Sequence, residues 1–291
     1  MKLSEKHEKL SSCKLFFVGG LPRSGTTWVQ QLLNNHETVV CLGESLFFTQ
    51  LAHKIALLLR DYSGKRADKT STWAPSVDGY SRASEIDIIR RSFLNLALEN
   101  MSEQELNSCV ALGEKTPDNL YLLYRVWGVF PEARFINVIR DVRDCVDSAM
   151  ARFESKLMDK YKDREKYVYD FSSSWQRRIL DARTSAKQLG KNDQYMEVLY
   201  ENLHEDPMKH ASQLFDFIGV PSTEAQVQKA LEEASFEKLS GGRRRGEEDA
   251  ASHYRRGEVG GWRQSFTNEE LAIFDREAGQ LMDEFGYPRR K

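Results

Sequence analysis

The chain is predicted to fold as an α/β protein in which a central, mainly parallel sheet is flanked by helices. Two observations predict this. Short apolar runs bounded by turn residues alternate with longer stretches of helical character, the pattern of buried strands joined by helical crossovers. The first of these runs also ends in a glycine-rich turn that leads directly into a helical pattern, a join suited to binding an anion.

Taken in order, Leu15-Phe16-Phe17-Val18 reads as the first strand, ended by Gly19-Gly20, Val39–Leu42 as the second and residues 109–112 as the third. Arg134–Ile139 reads as the fourth because a short β-rich run closes on a charged turn, and Tyr195–Leu199 reads as the fifth. Residues 45–108 and 149–190 are predicted to be mostly helical, with a polar, turn-rich interruption at 61–81. Asp206-Pro207 supplies an N-cap and a first-turn proline, which opens a helix to about Phe217. Thr267-Asn268-Glu269-Glu270 has capping-box spacing and is expected to open the last helix. Residues 238–261 are rich in Gly, Arg and acids and lack apolar periodicity, so they read as a long mobile loop, a kind usually functional or disordered.

The 291 residues, 40% hydrophobic and 30% charged, suit one domain over 1–291. Lys and Arg total 42 against 44 Asp and Glu, and the net charge of −2 provides no global field for nucleic acid or an anionic membrane. Any anion site must then be built locally. No run approaches the roughly 20 apolar residues of a membrane span, and the polar start MKLSEKHEKLSSCKL does not resemble a secretory signal, so a cytoplasmic protein is expected. Cys13, Cys41, Cys109 and Cys145 lack zinc-site spacing and read as reduced thiols.

The turn Gly20-Leu21-Pro22-Arg23-Ser24-Gly25-Thr26-Thr27 matches the spacing of the nucleotide phosphate loop G-x-x-x-x-G-K-[ST], except that Thr26 stands at the lysine position. The fold expected is therefore three-layered and P-loop-NTPase-like. Without the lysine that reaches the β- and γ-phosphates, a kinase or NTPase is the runner-up, and a non-catalytic nucleotide-binding protein is a further alternative.

Pro22-Arg23-Ser24-Gly25-Thr26-Thr27-Trp28 resembles the 5′-phosphosulfate loop of sulfotransferases that use 3′-phosphoadenosine 5′-phosphosulfate (PAPS) as donor. The resemblance implies that Arg23, Ser24, Gly25, Thr26 and Thr27 hold the phosphosulfate and that Trp28 packs on the adenine. After the fourth strand, Arg140 and Ser148 have the spacing of the family's 3′-phosphate motif, and a guanidinium fork suits that dianion. Tyr200-Glu201-Asn202-Leu203 resembles the family's Y-E-D-L, whose Tyr contacts adenine, and Ser235-Phe236 its S-F pair, although Ala234 replaces the usual Thr. Arg255-Arg256-Gly257, then Gly260-Gly261-Trp262 and Phe266-Thr267, resemble the C-terminal motif whose basic residues close over the 3′-phosphate, with Gly261 in place of Asp. The loop at 238–261 is then a cofactor cover.

Sulfuryl transfer needs a base for the acceptor proton. The histidine motif of the cytosolic branch is absent, whereas Gly43-Glu44-Ser45 and Glu114-Lys115-Thr116-Pro117 follow the layout of the tyrosylprotein branch. By that resemblance Glu44 is the base, while Arg23 and Lys115 stabilise the transferring group; Glu114 competes with Glu44 for the role or else serves as an ion-pair partner for Lys115. A sulfuryl group carries less charge than a γ-phosphoryl, so no metal is expected. The expected acceptor is a small hydroxylated molecule, less readily an amine, bound by residues from 45–108 and 149–190. Near the C-terminus Arg263 and Thr267 fit a dimer motif of cytosolic relatives, but Asn268 replaces its Val, so a monomer or weak homodimer is expected.

Overall fold

The computed structural model describes residues 1–67, 78–247, 249, 252, 254, 255 and 257–289. Residues 68–77, within the expected turn-rich interruption, and Arg256 lie outside the described residues. The first half contains α1 (Leu3–Ser11), β1 (Lys14–Gly20), α2 (Thr26–Asn34), β2 (Val39–Leu42), α3 (Ala52–Ala67), α4 (Arg82–Glu99), α5 (Glu103–Ser108), β3 (Ala111–Lys115), α6 (Leu123–Val129) and β4 (Arg134–Ile139). The second contains α7 (Val142–Tyr161), α8 (Arg164–Gln188), β5 (Tyr195–Leu199), α9 (Tyr200–Glu205), α10 (Pro207–Ile218), α11 (Glu224–Glu233), α12 (Phe236–Leu239), α13 (Asn268–Glu277) and α14 (Gly279–Glu284).

The five strands pair in the order β2-β3-β1-β4-β5, and every pairing is parallel. Because successive side chains in a strand point to opposite faces, each strand feeds two cores. Phe16, Val18, Cys41, Ala111, Ile136 and Val198 pack with α2, α10 and α11 on one face. Phe17, Val40, Leu112, Phe135 and Leu199 pack with α4, α6, α7 and α8 on the other. A parallel sheet covered on both faces gives the near-continuous apolar runs seen in the sequence. β1 is central, so its carboxyl end, where the glycine loop begins, lies beside the ends of both β3 and β4.

Two sequence expectations need correction. The third strand is Ala111–Lys115 instead of 109–112. Cys109 caps α5, its N–H donating to the Glu105 carbonyl, and the Val110 N–H bonds to the Thr38 carbonyl. The strand then continues through Glu114 and Lys115, whose charge hides it from an apolar-run reading. The helix opened by the Thr267 capping box is also not the last: α13 ends at Glu277, Ala278 (φ −125°) caps it, and α14 follows from Gly279. The Asp206 cap is present, its side chain accepting from the Lys209 N–H.

Gly113 pairs with Phe16 of β1 and leaves room for its buried ring, since a Cβ there would lie 2.3 Å from that ring. Gly113→Ala is therefore expected to lower stability by about 1–3 kcal/mol through overpacking. Equal denaturation midpoints for variant and wild type would contradict this packing.

Candidate functional site

The carboxyl ends of β1, β3 and β4 open into a cavity of about 380 Å³. Its floor is the turn from β1 to α2. Arg23 adopts a left-handed conformation (φ 70°), which a side chain tolerates at a cost of order 1–3 kcal/mol. Gly25 follows at φ 98°, and a Cβ on it would stand 2.4 Å from the Tyr200 ring, so only glycine fits. Gly25 caps α2 without a side-chain hydrogen bond, and Thr26, Thr27 and Trp28 line the cavity. Ser24 Oγ is buried with no hydrogen-bond partner among the described residues. A buried hydroxyl left in this way suits a ligand acceptor.

The cation missing from the loop arrives from the next strand. Lys115 Nζ lies 2.7 Å from Glu44 Oε1 and 3.3 Å from Thr27 Oγ1. Its side chain is 3% exposed, against 50% for that of Glu44. Glu114, one residue earlier, points to the other face. There it accepts from the Ser45 N–H and Oγ, from Thr116 Oγ1 and from Asn119 Nδ2. Burial pushes the Glu114 carboxyl up, and these hydrogen bonds oppose the shift. Glu114 is thus the anchor of the segment after β2, and the expectation that it pairs with Lys115 is corrected by strand alternation.

Arg140, at the end of β4, donates to the Glu258 carbonyl at 2.8 Å and lies 4.4 Å over the Tyr200 ring, and its Nε is buried without a hydrogen-bond partner among the described residues. Ser148 lines the same cavity but accepts its hydrogen bond from Arg23 Nε at 3.0 Å. The structure thus joins side chains that the resemblance assigns to the two ends of a donor. Burial, and then the charges of Arg140, Arg152 and Arg255, pull the Arg23 pKa down. Guanidinium groups crowded in this way favour an anionic guest.

At the other end the cavity is aromatic. Trp28 Nε1 donates to the Ala234 carbonyl at 2.9 Å, and its ring meets those of Tyr200 and His204 at 5.3 and 4.7 Å. Phe236 and Leu239 complete this wall. Gly257 (φ 63°) packs so closely on Phe236 that a Cβ would lie 2.3 Å from the ring. Ser235 does not line the cavity; it sits at the α12 N-cap, and its neighbours Ala234 and Phe236 make the contacts. Arg255 lines the cavity and is ion-paired with Asp147.

Sequence reasoning missed several groups. Asp144 and Asp147, within the charged start of α7, are buried anchors for the segment that crosses the cavity. Asp144 accepts from the Gly260 and Trp262 N–H groups at 2.7 and 3.0 Å, and Asp147 accepts from Ser265 Oγ at 2.6 Å. Asp118 lines the cavity near Glu44, and burial followed by the Glu44 charge pushes its carboxyl up. His204 and Arg245 line the aromatic end. Asp118 directly follows Thr116-Pro117, and His204 directly follows Tyr200-Glu201-Asn202-Leu203, so adjacency to a motif was the available signal.

Residues 16–224 match the family model described as "Sulfotransferase family". The chain is 29% identical over 212 residues to protein-tyrosine sulfotransferase 1 of Danio rerio, covering 72% of this chain and 54% of that protein. It is 26% identical over 215 residues to a protein-tyrosine sulfotransferase of Drosophila melanogaster, with 72% and 39% covered. The chain thus spans about half or less of the length of these relatives. Among solved structures, mouse sulfotransferase SULT7A1 complexed with PAP superposes with a TM-score of 0.54 at 14% identity, over 99% of this chain and 95% of that one. The sulfotransferase domain of the Synechococcus PCC 7002 olefin synthase gives 0.51 at 18% identity, over 95% of each chain. These structural likenesses show the fold.

The two carboxylates differ in what they support. Glu114→Gln places an amide donor against existing donors in a buried cluster, whereas Glu44→Gln keeps an oxygen for Lys115. Glu114→Gln is expected to be the less stable variant, by on the order of 1–3 kcal/mol in urea denaturation. The reverse order would contradict these assignments.

Proposed function

The chain belongs to the sulfotransferase family, and we propose that it moves the sulfuryl group of PAPS to a hydroxyl of a small-molecule acceptor. One observation carries this reading: a single cavity is lined by Arg23, Arg140 and Arg255, its other end is walled by Trp28, Tyr200 and Phe236, and Lys115 lies behind Thr27, 3.3 Å from its hydroxyl. That combination fits a nucleotide carrying two anionic groups. The unpartnered Ser24 Oγ and Arg140 Nε fit its phosphate oxygens.

When bound, PAPS supplies the sulfuryl group: the acceptor oxygen bonds to sulfur as the bond from sulfur to the 5′-phosphate oxygen breaks, leaving 3′,5′-bisphosphoadenosine. Ser24, Gly25, Thr26 and Thr27 hold the 5′ end. Arg23 and Lys115 oppose charge developing there, a role that needs positioning more than covalent chemistry. Arg140 and Ser148, with Arg255 and Gly257 above them, hold the 3′-phosphate. Arg256 is assigned with them by its place in the motif. Trp28, Tyr200 and Phe236 hold the base, with Ser235 acting through the placement of Phe236. Glu44 stands where the acceptor oxygen arrives and takes its proton, with Leu46 and Asp118 bordering that end; Phe153 also lines the cavity. Residues 238–261, parts of which line the cavity, act as a cover. A cytoplasmic setting fits the four cysteines, all of them free. No helix among the described residues is long and apolar enough to cross a membrane.

With PAPS and a panel of hydroxylated metabolites, sulfated products are expected by mass spectrometry. A tyrosine peptide serves as the discriminating arm, and transfer to the peptide alone would overturn the acceptor class. Glu44→Gln should lower kcat roughly 100- to 10,000-fold with little change in nucleotide affinity; a near-wild-type kcat in the folded variant would exclude Glu44 as base. Arg140→Ala should weaken binding of 3′,5′-bisphosphoadenosine far more than that of 5′-AMP, which lacks the 3′ group, and equal losses in calorimetry would remove this Arg from the 3′-phosphate site.

A further inference from the structure

His204 lies on α9 at the aromatic end of the cavity and has no part in the assignments above. Its ring sits 4.7 Å from that of Trp28 and 4.6 Å from that of Tyr200. Its Nδ1 lies 2.7 Å from Nη1 of Arg245, which comes from the segment covering the cavity. A guanidinium has donors only, so Nδ1 must accept, and the neutral ring then carries its proton on Nε2. The ring is kept neutral by burial first and then by the charges of Arg245 and Arg140, which pull its pKa down to about 3. Nε2 is itself buried and has no hydrogen-bond partner among the described residues.

These facts fix a donor of known polarity. Nearly all buried N–H groups find an acceptor, and this one belongs to a ring that lines a cavity beside the rings proposed to hold a base. A neutral imidazole N–H suits an unprotonated ring nitrogen, which purines present on their edges. We propose that His204 reads the purine of the nucleotide by donating Nε2–H to one of its ring nitrogens, and that Arg245 sets the tautomer that makes this possible. The assignment rests on the reading of the cavity as the PAPS site. His204 acts here as a specificity-determining residue, separate from the phosphate contacts.

The test is calorimetric and needs no turnover. 3′,5′-Bisphosphoadenosine and its 1-deaza, 3-deaza and 7-deaza analogues, each with one ring nitrogen replaced by C–H, are titrated into wild type, His204→Phe and Arg245→Met. Wild type is expected to bind one analogue about 5- to 100-fold more weakly than the parent, the range of one lost buried hydrogen bond. His204→Phe keeps an aromatic ring in the wall and should lose a similar factor for the parent, with no further loss for that analogue. Arg245→Met, altered on the exposed covering segment, should narrow the same discrimination and guards against a His204 variant that does not fold. Discrimination that persists in the variants, or that is absent from a wild type binding the parent well, overturns the role of His204 while leaving the nucleotide site intact. No binding of the parent by wild type overturns the nucleotide reading, and this assignment with it.

Discussion

Lys115 is a buried cation that the sheet carries up to the cavity, behind Thr27 and Glu44, and much of the site's arrangement follows from keeping it there. An isolated buried ammonium is strongly disfavoured, yet this side chain is 3% exposed, with Glu44 at 2.7 Å and Thr27 at 3.3 Å. Glu44 comes from the turn after β2 and Thr27 from the first turn of α2. One ammonium therefore joins the segments following three adjacent strands. The loop has threonine where related phosphate loops have lysine, and the charge enters from the neighbouring strand instead.

Holding Lys115 in that place requires β3 to keep its register. Gly113 lets Phe16 close over the strand, and Glu114 gathers Ser45, Thr116 and Asn119 on the opposite face. The two charges at the end of β3 thus do different jobs because strand alternation separates them. On the other side of β1, β4 delivers Arg140 and α7 delivers the buried acids. Asp144 and Asp147 tether the segment around Gly260 and Ser265 to the start of α7, beside the cavity that Arg23, Arg140 and Arg255 line.

Much of this was legible in the sequence. Val39–Leu42, Arg134–Ile139 and Tyr195–Leu199 are strands with the predicted bounds; the first two are buried and written as apolar runs, whereas the third is a mostly half-buried edge strand legible from its short β-rich run. Of the loop residues, Arg23, Gly25, Thr26 and Thr27 line one cavity with Trp28, Arg140, Ser148, Tyr200 and Phe236, whereas Ser24 is buried and does not line it. What stayed hidden depended on side-chain reach and on burial of charge. Nothing in the spacing shows that Arg23 bends to Ser148, that Glu114 turns to Ser45 and Asn119 while Lys115 turns to Glu44 and Thr27, or that Asp144 and Asp147 are tethers instead of a solvated cluster. His204 was hidden for a related reason, since a single histidine acquires meaning only from the arginine that fixes its proton.

The orientation of the nucleotide is the claim on which these roles depend, and a crystal structure with 3′,5′-bisphosphoadenosine tests it most directly. The account predicts the 5′-phosphate against the 24–27 loop and Lys115, the 3′-phosphate at Arg140, and the base against Trp28 and Phe236. A nucleotide bound in the reverse direction, or outside this cavity, would contradict it.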